Sequence, residues 1–267
     1  MAVAHLDDRA VLRIGGVDAR AYLQDLLTND VSLLAPGQSL WAGLLSAQGK
    51  VLFDMILHDS GDVGGDAVLA DVLATSADAL AKRLTMYKLR RAVTIELTEA
   101  RVMAAWGESA GQPADPRLAT LGERWVDAST KPSFAAAATT LAYHAHRLTL
   151  GVPDSIDLLP DKLMWLEANA VELHGVNFTK GCYVGQENTA RMHHRDRLRK
   201  RLLPVQFEGA AAMGDAIIAG NVEAGELRSH IDGRGIAYLR LDPVEAATPL
   251  SINGAPLIVV RPDWLPA

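Results

Sequence analysis

The chain has 267 residues, 49% of them hydrophobic and 22% charged, with a net charge of −6 and one cysteine. That length can bury the core of one large domain or two to three small ones, within an ordinary globular composition. The acidic balance argues against general nucleic-acid binding, one thiol rules out an internal disulfide, and no apolar run reaches the roughly 18 residues of a helical membrane span.

Met1 to Asp8 shows neither a basic nor an apolar leader, so a cytoplasmic protein without signal or transit segment is expected. Ala10 to Ile14 reads as a strand closed by Gly15-Gly16. Asp18 can then cap a helix over Ala19 to Leu27 whose Tyr22, Leu23, Leu26 and Leu27 share one face. Leu40 to Leu45 and Val51 to His58 read as a hairpin about the turn Gln48-Gly49-Lys50, and Ala67 to Leu73 as a further strand after the turn at Gly61 to Asp66. Ser76 can cap a helix over Ala77 to Arg90, with Leu80, Leu84 and Tyr87 inward. Ala92 to Leu97 and Arg101 to Trp106 are strands, which together give a small antiparallel sheet with packed helices.

From Gly107 to Ser133 the chain is rich in turn residues and shows no clear element. Thr139 to Thr149 has a strand pattern, Asp154 to Asp161 reads as a loop, Leu163 to Leu173 as a helix and Gln186 to His194 as a short helix. After Arg201, strand-like runs at 202–207, 216–218, 226–229, 235–240 and 256–261 alternate with Gly, Pro and Asn turns, the pattern of a small β-barrel.

The chemistry concentrates in Lys180-Gly181-Cys182-Tyr183-Val184-Gly185-Gln186-Glu187. A free cysteine is usually a small buried hydrophobe. Here Lys180 and the helix start at Gly185-Gln186 could lower the thiol pKa, and Gly181 and Gly185 could permit close approaches or unusual backbone. Glu187 and Arg191 are spaced for a helical ion pair. The run from Arg191 to Arg201 is strongly basic: a solvated face, or a site for an anion, an acidic partner or RNA. The lack of interleaved aromatics disfavours RNA. His144 and His146 would share a strand face, but no further metal ligand stands nearby at metal spacing, so no metal site is expected. Walker A, GxGxxG and GxSxG motifs are absent.

The eight-residue string reproduces the signature of the YgfZ family, folate-binding proteins of iron–sulfur cluster assembly. "YLQDLLTNDV" and "LLSAQGKVLFDM" resemble that family's N-terminal region, and "GIAYLRLD" (Gly235 to Asp242) its C-terminal module. The family is related in turn to the aminomethyltransferase (T-protein) of the glycine cleavage system. There a glutamate in a "LEAG…LYG" segment holds the pterin. Leu166-Glu167-Ala168-Asn169 and Leu173-His174-Gly175 resemble that segment, with Asn169 and His174 departing from its Gly and Tyr. A carboxylate suits the two parallel donors of a pterin edge. Asp54 matches one of two acidic positions after the hairpin turn, and Phe53 stands at the other.

The resemblance implies an α+β fold with two α/β subdomains and a C-terminal β-barrel. Residues 1–198 would form the folate-binding region, with a subdomain at about 48–138 inserted in a discontinuous first one, and residues 199–267 the barrel. It implies tetrahydrofolate, or a one-carbon-substituted folate, held by Glu167, Asp54, Tyr183, Gln186, Glu187 and Arg191. Cys182, Lys180 and Asp54 would be the chemical groups. Iron–sulfur assembly or client proteins are the expected partners, with a link to tRNA modification. The alternative is a folate-dependent aminomethyltransferase or demethylating enzyme, against which the motif cysteine and the missing second acid count.

Overall fold

The computed structural model describes residues 1–61, 66–129, 134, 136–194 and 198–266. The strands and helices are β1 (Ala2–His5), β2 (Arg9–Gly15), α1 (Ala19–Leu26), β3 (Ser39–Leu45), β4 (Val51–Asp59), β5 (Val68–Leu73), α2 (Ala77–Tyr87), β6 (Thr94–Leu97), β7 (Arg101–Trp106), β8 (Glu123–Asp127) and α3 (Thr140–Thr149). Then come α4 (Gln186–His194), β9 (Lys200–Phe207), β10 (Ala216–Ala219), β11 (Val222–Ile231), β12 (Arg234–Arg240), α5 (Leu241–Glu245), β13 (Leu250–Ile252) and β14 (Ala255–Val259).

A five-stranded antiparallel sheet in the order β3-β4-β5-β2-β6 carries the first half of the chain. Both of its faces are covered. Ala42, Leu44, Met55 and Leu57 pack under α1 and α2, while Trp41, Leu45, Val51 and Ile56 pack against residues 148–183. Burial on two sides is why β3 and β4 read as unbroken apolar runs rather than as alternation. A three-stranded sheet, β1-β7-β8, sits beside it, and β10-β11-β12-β9-β14-β13 closes into a barrel filled by Leu203, Val205, Ile217, Leu227 and Leu239. Residue 48 lies in the turn of the β3–β4 hairpin. No helix among the described residues is long and apolar enough to cross a bilayer.

Several expectations change. Thr139 to Thr149 is a helix, not a strand: the Thr139 side chain accepts the Ala142 N–H, and Tyr143, Arg147 and Leu148 turn inward at helical spacing. On α3, His144 and His146 therefore diverge. His144 joins Asp8 (2.7 Å) and accepts from Arg147 Nε, whereas His146 meets the Leu121 carbonyl and stacks on Trp106. Leu163 to Leu173 is not one helix but a single 3-10 turn, Trp165–Ala168, ended by Asn169 in the left-handed region at φ +63. The strands β1, β8 and β13 were not foreseen, since each has five residues or fewer and is held by its pairing rather than by its own pattern. Ser76 and Asp18 precede helices as expected, but neither side chain caps; Asp18 accepts the Ala92 N–H instead.

A buried charge network ties the parts together. Arg9 Nε donates to Asp71 (2.6 Å) and its Nη1 to Asp154 (3.2 Å). Arg117 grips Asp115 through two nitrogens and reaches Asp154 at 3.0 Å. Arg124 donates to the other oxygen of Asp71 at 2.7 Å, and Tyr143 Oη accepts from both Arg117 and Arg124. Arg147 pairs with Asp157 and donates to Ser229 Oγ on the barrel. Burial alone would raise these carboxyls, but the surrounding guanidiniums outweigh it, lowering Asp71 and Asp115 and holding Asp154 well below 3.8.

His58 lies buried next to this network, and its Nε2 has no hydrogen-bond partner among the described residues. Burial, the largest cause, drives its pKa down to about 4; Asp71 opposes the shift and Arg124 adds to it. The unfolded chain therefore binds a proton between pH 6.5 and 4 that the folded chain refuses, so acidification through that window favours unfolding, by up to roughly 3 kcal/mol. Urea unfolding at pH 7 and pH 5 will show that loss, and His58→Gln will flatten the slope between them.

Candidate functional site

Helix α1 ends with unpaired carbonyls, as every helix does. Here Lys180 fills them: its Nζ donates to the carbonyls of Gln24 (2.6 Å), Leu27 (2.5 Å) and Asn29 (3.0 Å). Asn177 sets up that reach, since its Oδ1 accepts the N–H groups of Thr179 and Lys180. Thr28 and Asn29 complete the joint. Thr28 Oγ1 donates to the Gly175 carbonyl and accepts the Gly43 N–H, while Asn29 Nδ2 reaches the carbonyls of Trp41 and His174. The stretches around residues 22–31 and 174–180 are thus one interlocked unit. Burial presses the Lys180 ammonium down to about 8, with Asp30 and Asp25 opposing. An ammonium has three protons, and all three are committed to backbone oxygens. The cation expected to activate Cys182 is instead a structural clamp.

Cys182 itself is exposed. On either side of it the chain is pinned: Lys180 is buried before it, and Tyr183 is buried after it. Gly185 follows at φ +85, where a Cβ would stand 2.6 Å from the Ser46 carbonyl and 2.9 Å from Leu45 Cβ. Asn188 Nδ2 reaches the Gln48 carbonyl at 2.9 Å, so the motif seats directly on the β3–β4 turn. Gly185→Ala meets both a left-handed backbone and this contact, and is expected to cost about 2–4 kcal/mol in denaturant unfolding. Gly181 differs from the expectation for both glycines: nothing lies within 4 Å of a Cβ there. Gly181→Ala, the control, will stay within about 0.5 kcal/mol.

Helix α4 starts where it was expected. The Gln186 side chain accepts the Tyr183 N–H at 3.3 Å and so closes the motif's own turn. Glu187 and Arg191 lie exposed on α4, and Phe178 stacks on His193 with ring centres 3.9 Å apart. Of the basic run, Arg195 and Arg197 lie outside the described residues. Arg201 is held by Asn169 and Glu172, and the Lys200 ammonium lies over the Tyr238 ring at 5.1 Å.

Glu167 is buried, and burial raises its pKa. Its Oε2 accepts both the Met164 N–H (2.9 Å) and the Tyr238 hydroxyl (2.7 Å) from the barrel. Asp54, also raised by burial, accepts the Trp41 indole N–H at 3.0 Å. The Trp41 and Trp165 rings lie 4.6 Å apart with their planes tilted by 49°, and the pair fits because Gly43 and Gly175 lie against the two rings. Asn169 takes the left-handed backbone that its position demands, a conformation open to Gly and Asn.

The cavity at Asp54 measures about 30 Å³, room for a water, against the several hundred Å³ of a small-molecule site. Glu167 is closed off by Tyr238.

Sequence reasoning missed the clamp role of Lys180, the tryptophan pair and Tyr238. Only the last left a trace, as the aromatic within "GIAYLRLD".

The profile of the CAF17 C-terminal beta-barrel domain family matches residues 199–267. The mitochondrial iron–sulfur cluster assembly factor IBA57 of Mus musculus is 33% identical over 98% of this chain and 84% of its own length. The Homo sapiens protein of the same name is 33% identical over 99% and 85%. The solved structure of the glycine cleavage system aminomethyltransferase T from Bartonella henselae covers 99% of this chain and 86% of its own at TM-score 0.75 and 16% identity, a likeness of fold. The cytoplasmic placement expected from the N-terminus is corrected by these relatives, which are mitochondrial proteins by name.

Proposed function

The chain belongs to the IBA57 family of iron–sulfur cluster assembly factors, and on that premise we propose that it acts in iron–sulfur cluster assembly by offering Cys182 as a thiolate ligand to a cluster that passes through. The observation that carries this reading is an exposed thiol on a backbone pinned at both ends, by the Lys180 clamp and by the Gly185 contact. Cluster iron takes thiolate ligands in sets, commonly four for a cluster. This chain has one cysteine, so the remaining ligands come from a partner. Exposure is what sharing requires, since a buried thiol could not meet an iron already held elsewhere. On ligation the Sγ–H proton passes to solvent and the sulfur bonds to iron, with no change in oxidation state.

Aminomethyl transfer to folate is the weaker reading. Phe53 stands where the second acid would be, and Asp54 is enclosed with its carboxylate on Trp41. The test is anaerobic reconstitution with ferrous iron, sulfide and purified iron–sulfur assembly proteins, followed by visible absorption. A cluster signal in a complex containing this protein, lost with Cys182→Ser, supports the reading; a complex that holds its cluster without the thiol defeats it.

A further inference from the structure

Helix α2 ends in an exposed apolar patch. Met86, Tyr87 and Leu89 are 73%, 43% and 85% exposed within four residues, where single exposed apolar side chains would call for no explanation. Leu89 also sits at φ +50, a backbone region that leucine rarely enters. Strained, exposed apolar residues are found where a surface is shaped for use.

Beside them a groove of about 770 Å³ runs between α1 and the turn after α2, with Tyr22 and Leu26 on one side and Tyr87 and Leu89 on the other. Its charge is lopsided. Residues 79–91 hold five cations (Lys82, Arg83, Lys88, Arg90 and Arg91) and no acid, in a chain of net charge −6. The acids on the α1 rim are already engaged, Asp25 by the Arg91 guanidinium and Asp18 by the Ala92 N–H. Arg91 and Lys88 thereby brace the turn, the latter through the Val93 carbonyl at 2.9 Å, while Lys82 and Arg90 stay exposed.

We propose that this groove docks an acidic amphipathic helix from a partner protein, its apolar stripe against Leu26, Tyr87 and Leu89 and its carboxylates toward Lys88 and Arg90. Concave shape argues for a helix: an apolar helix face fits a groove, whereas a membrane surface needs a convex or flat one. Opposite charge along the rim supplies steering and register. The proposal stands independently of the role given to Cys182.

Selection of displayed 16-residue peptides on the full-length protein, with counter-selection on its Leu89→Asp variant, tests it. Enriched peptides are expected to be acidic, with apolar residues at helical spacing. Their affinity should fall at least about tenfold with Leu89→Asp and with Arg90→Glu, and weaken as salt rises. No enrichment over the counter-selected variant, or enriched peptides indifferent to both substitutions, overturns the proposal. So does tight partition of the protein onto vesicles containing anionic phospholipid, abolished by the same substitutions, without peptide enrichment. Leu89→Gly separates a binding role from a structural one. Relief of the left-handed leucine raises the melting temperature while peptide affinity falls; loss of stability instead would make Leu89 a structural residue.

Discussion

Cys182→Ser leaves the melting transition where it is and removes the protein's contribution to iron–sulfur enzyme activity in cells that depend on it. Substitutions of exposed residues away from special contacts change stability by about 0.5 kcal/mol or less, and Cys182 lies on the surface with its neighbours, not itself, making the anchoring contacts. A hydroxyl of nearly the same shape keeps those contacts but does not replace a thiolate on iron. Activity of an iron–sulfur enzyme should therefore drop to the level of the deletion, with wild-type amounts of folded protein. Lys180→Met gives the contrasting phenotype. It keeps the thiol but strips three carbonyls of their donor, so folded protein itself should diminish. If Cys182→Ser restores full enzyme activity, the ligand role is lost.

The second large effect is in the buried charge network. Arg117→Met leaves Asp115, and in part Asp154, as carboxylates out of water without their strongest partner. Removing one member of a buried pair costs about 3–5 kcal/mol, a large share of the roughly 5–15 kcal/mol that holds a domain together. A drop in the melting temperature of about 10 °C follows for a chain of this size. Removing charge from both sides, as Arg117→Met with Asp115→Leu, should recover part of that loss, because the orphaned carboxylate goes too. A double variant no more stable than the single one would show that Arg117 acts by packing alone.

The legible parts of this molecule were those whose cause is local. Strands β2 to β5 announce themselves because their apolar runs are set off by the turns at Gly15-Gly16, Pro36-Gly37, Gly49 and Gly61, and α1 and α2 because their inward residues recur at helical spacing. Helix α3 hid because its alternation of Tyr143 with small and polar neighbours also fits a strand, and its cap at Thr139 is a weak signal. The motif was visible through the uniqueness of Cys182, yet the role of Lys180 was not. Its partners are backbone carbonyls, and a carbonyl has no letter in a sequence. Glu167 was visible through the resemblance of its segment, but its hydroxyl partner, Tyr238, was not, because it lies 71 positions later. The charge network was out of reach for the same reason: Arg9 and Asp154 are 145 residues apart.

That separation also sets an order in time. Ribosomal synthesis releases Arg9 and Asp71 long before Asp154, and Arg147 reaches Ser229 only when the barrel strand β11 exists. The five-stranded sheet can pair early, since its strands lie within residues 9–97. During that interval the sheet carries Arg9 against Asp71 with neither Arg124 nor Asp154 in place. The chain beyond residue 114 therefore acts as the closing step for charges laid down in the first third. A nascent chain stalled before Asp154 should expose the network to solvent, and so to quality-control proteases, however well formed its sheet.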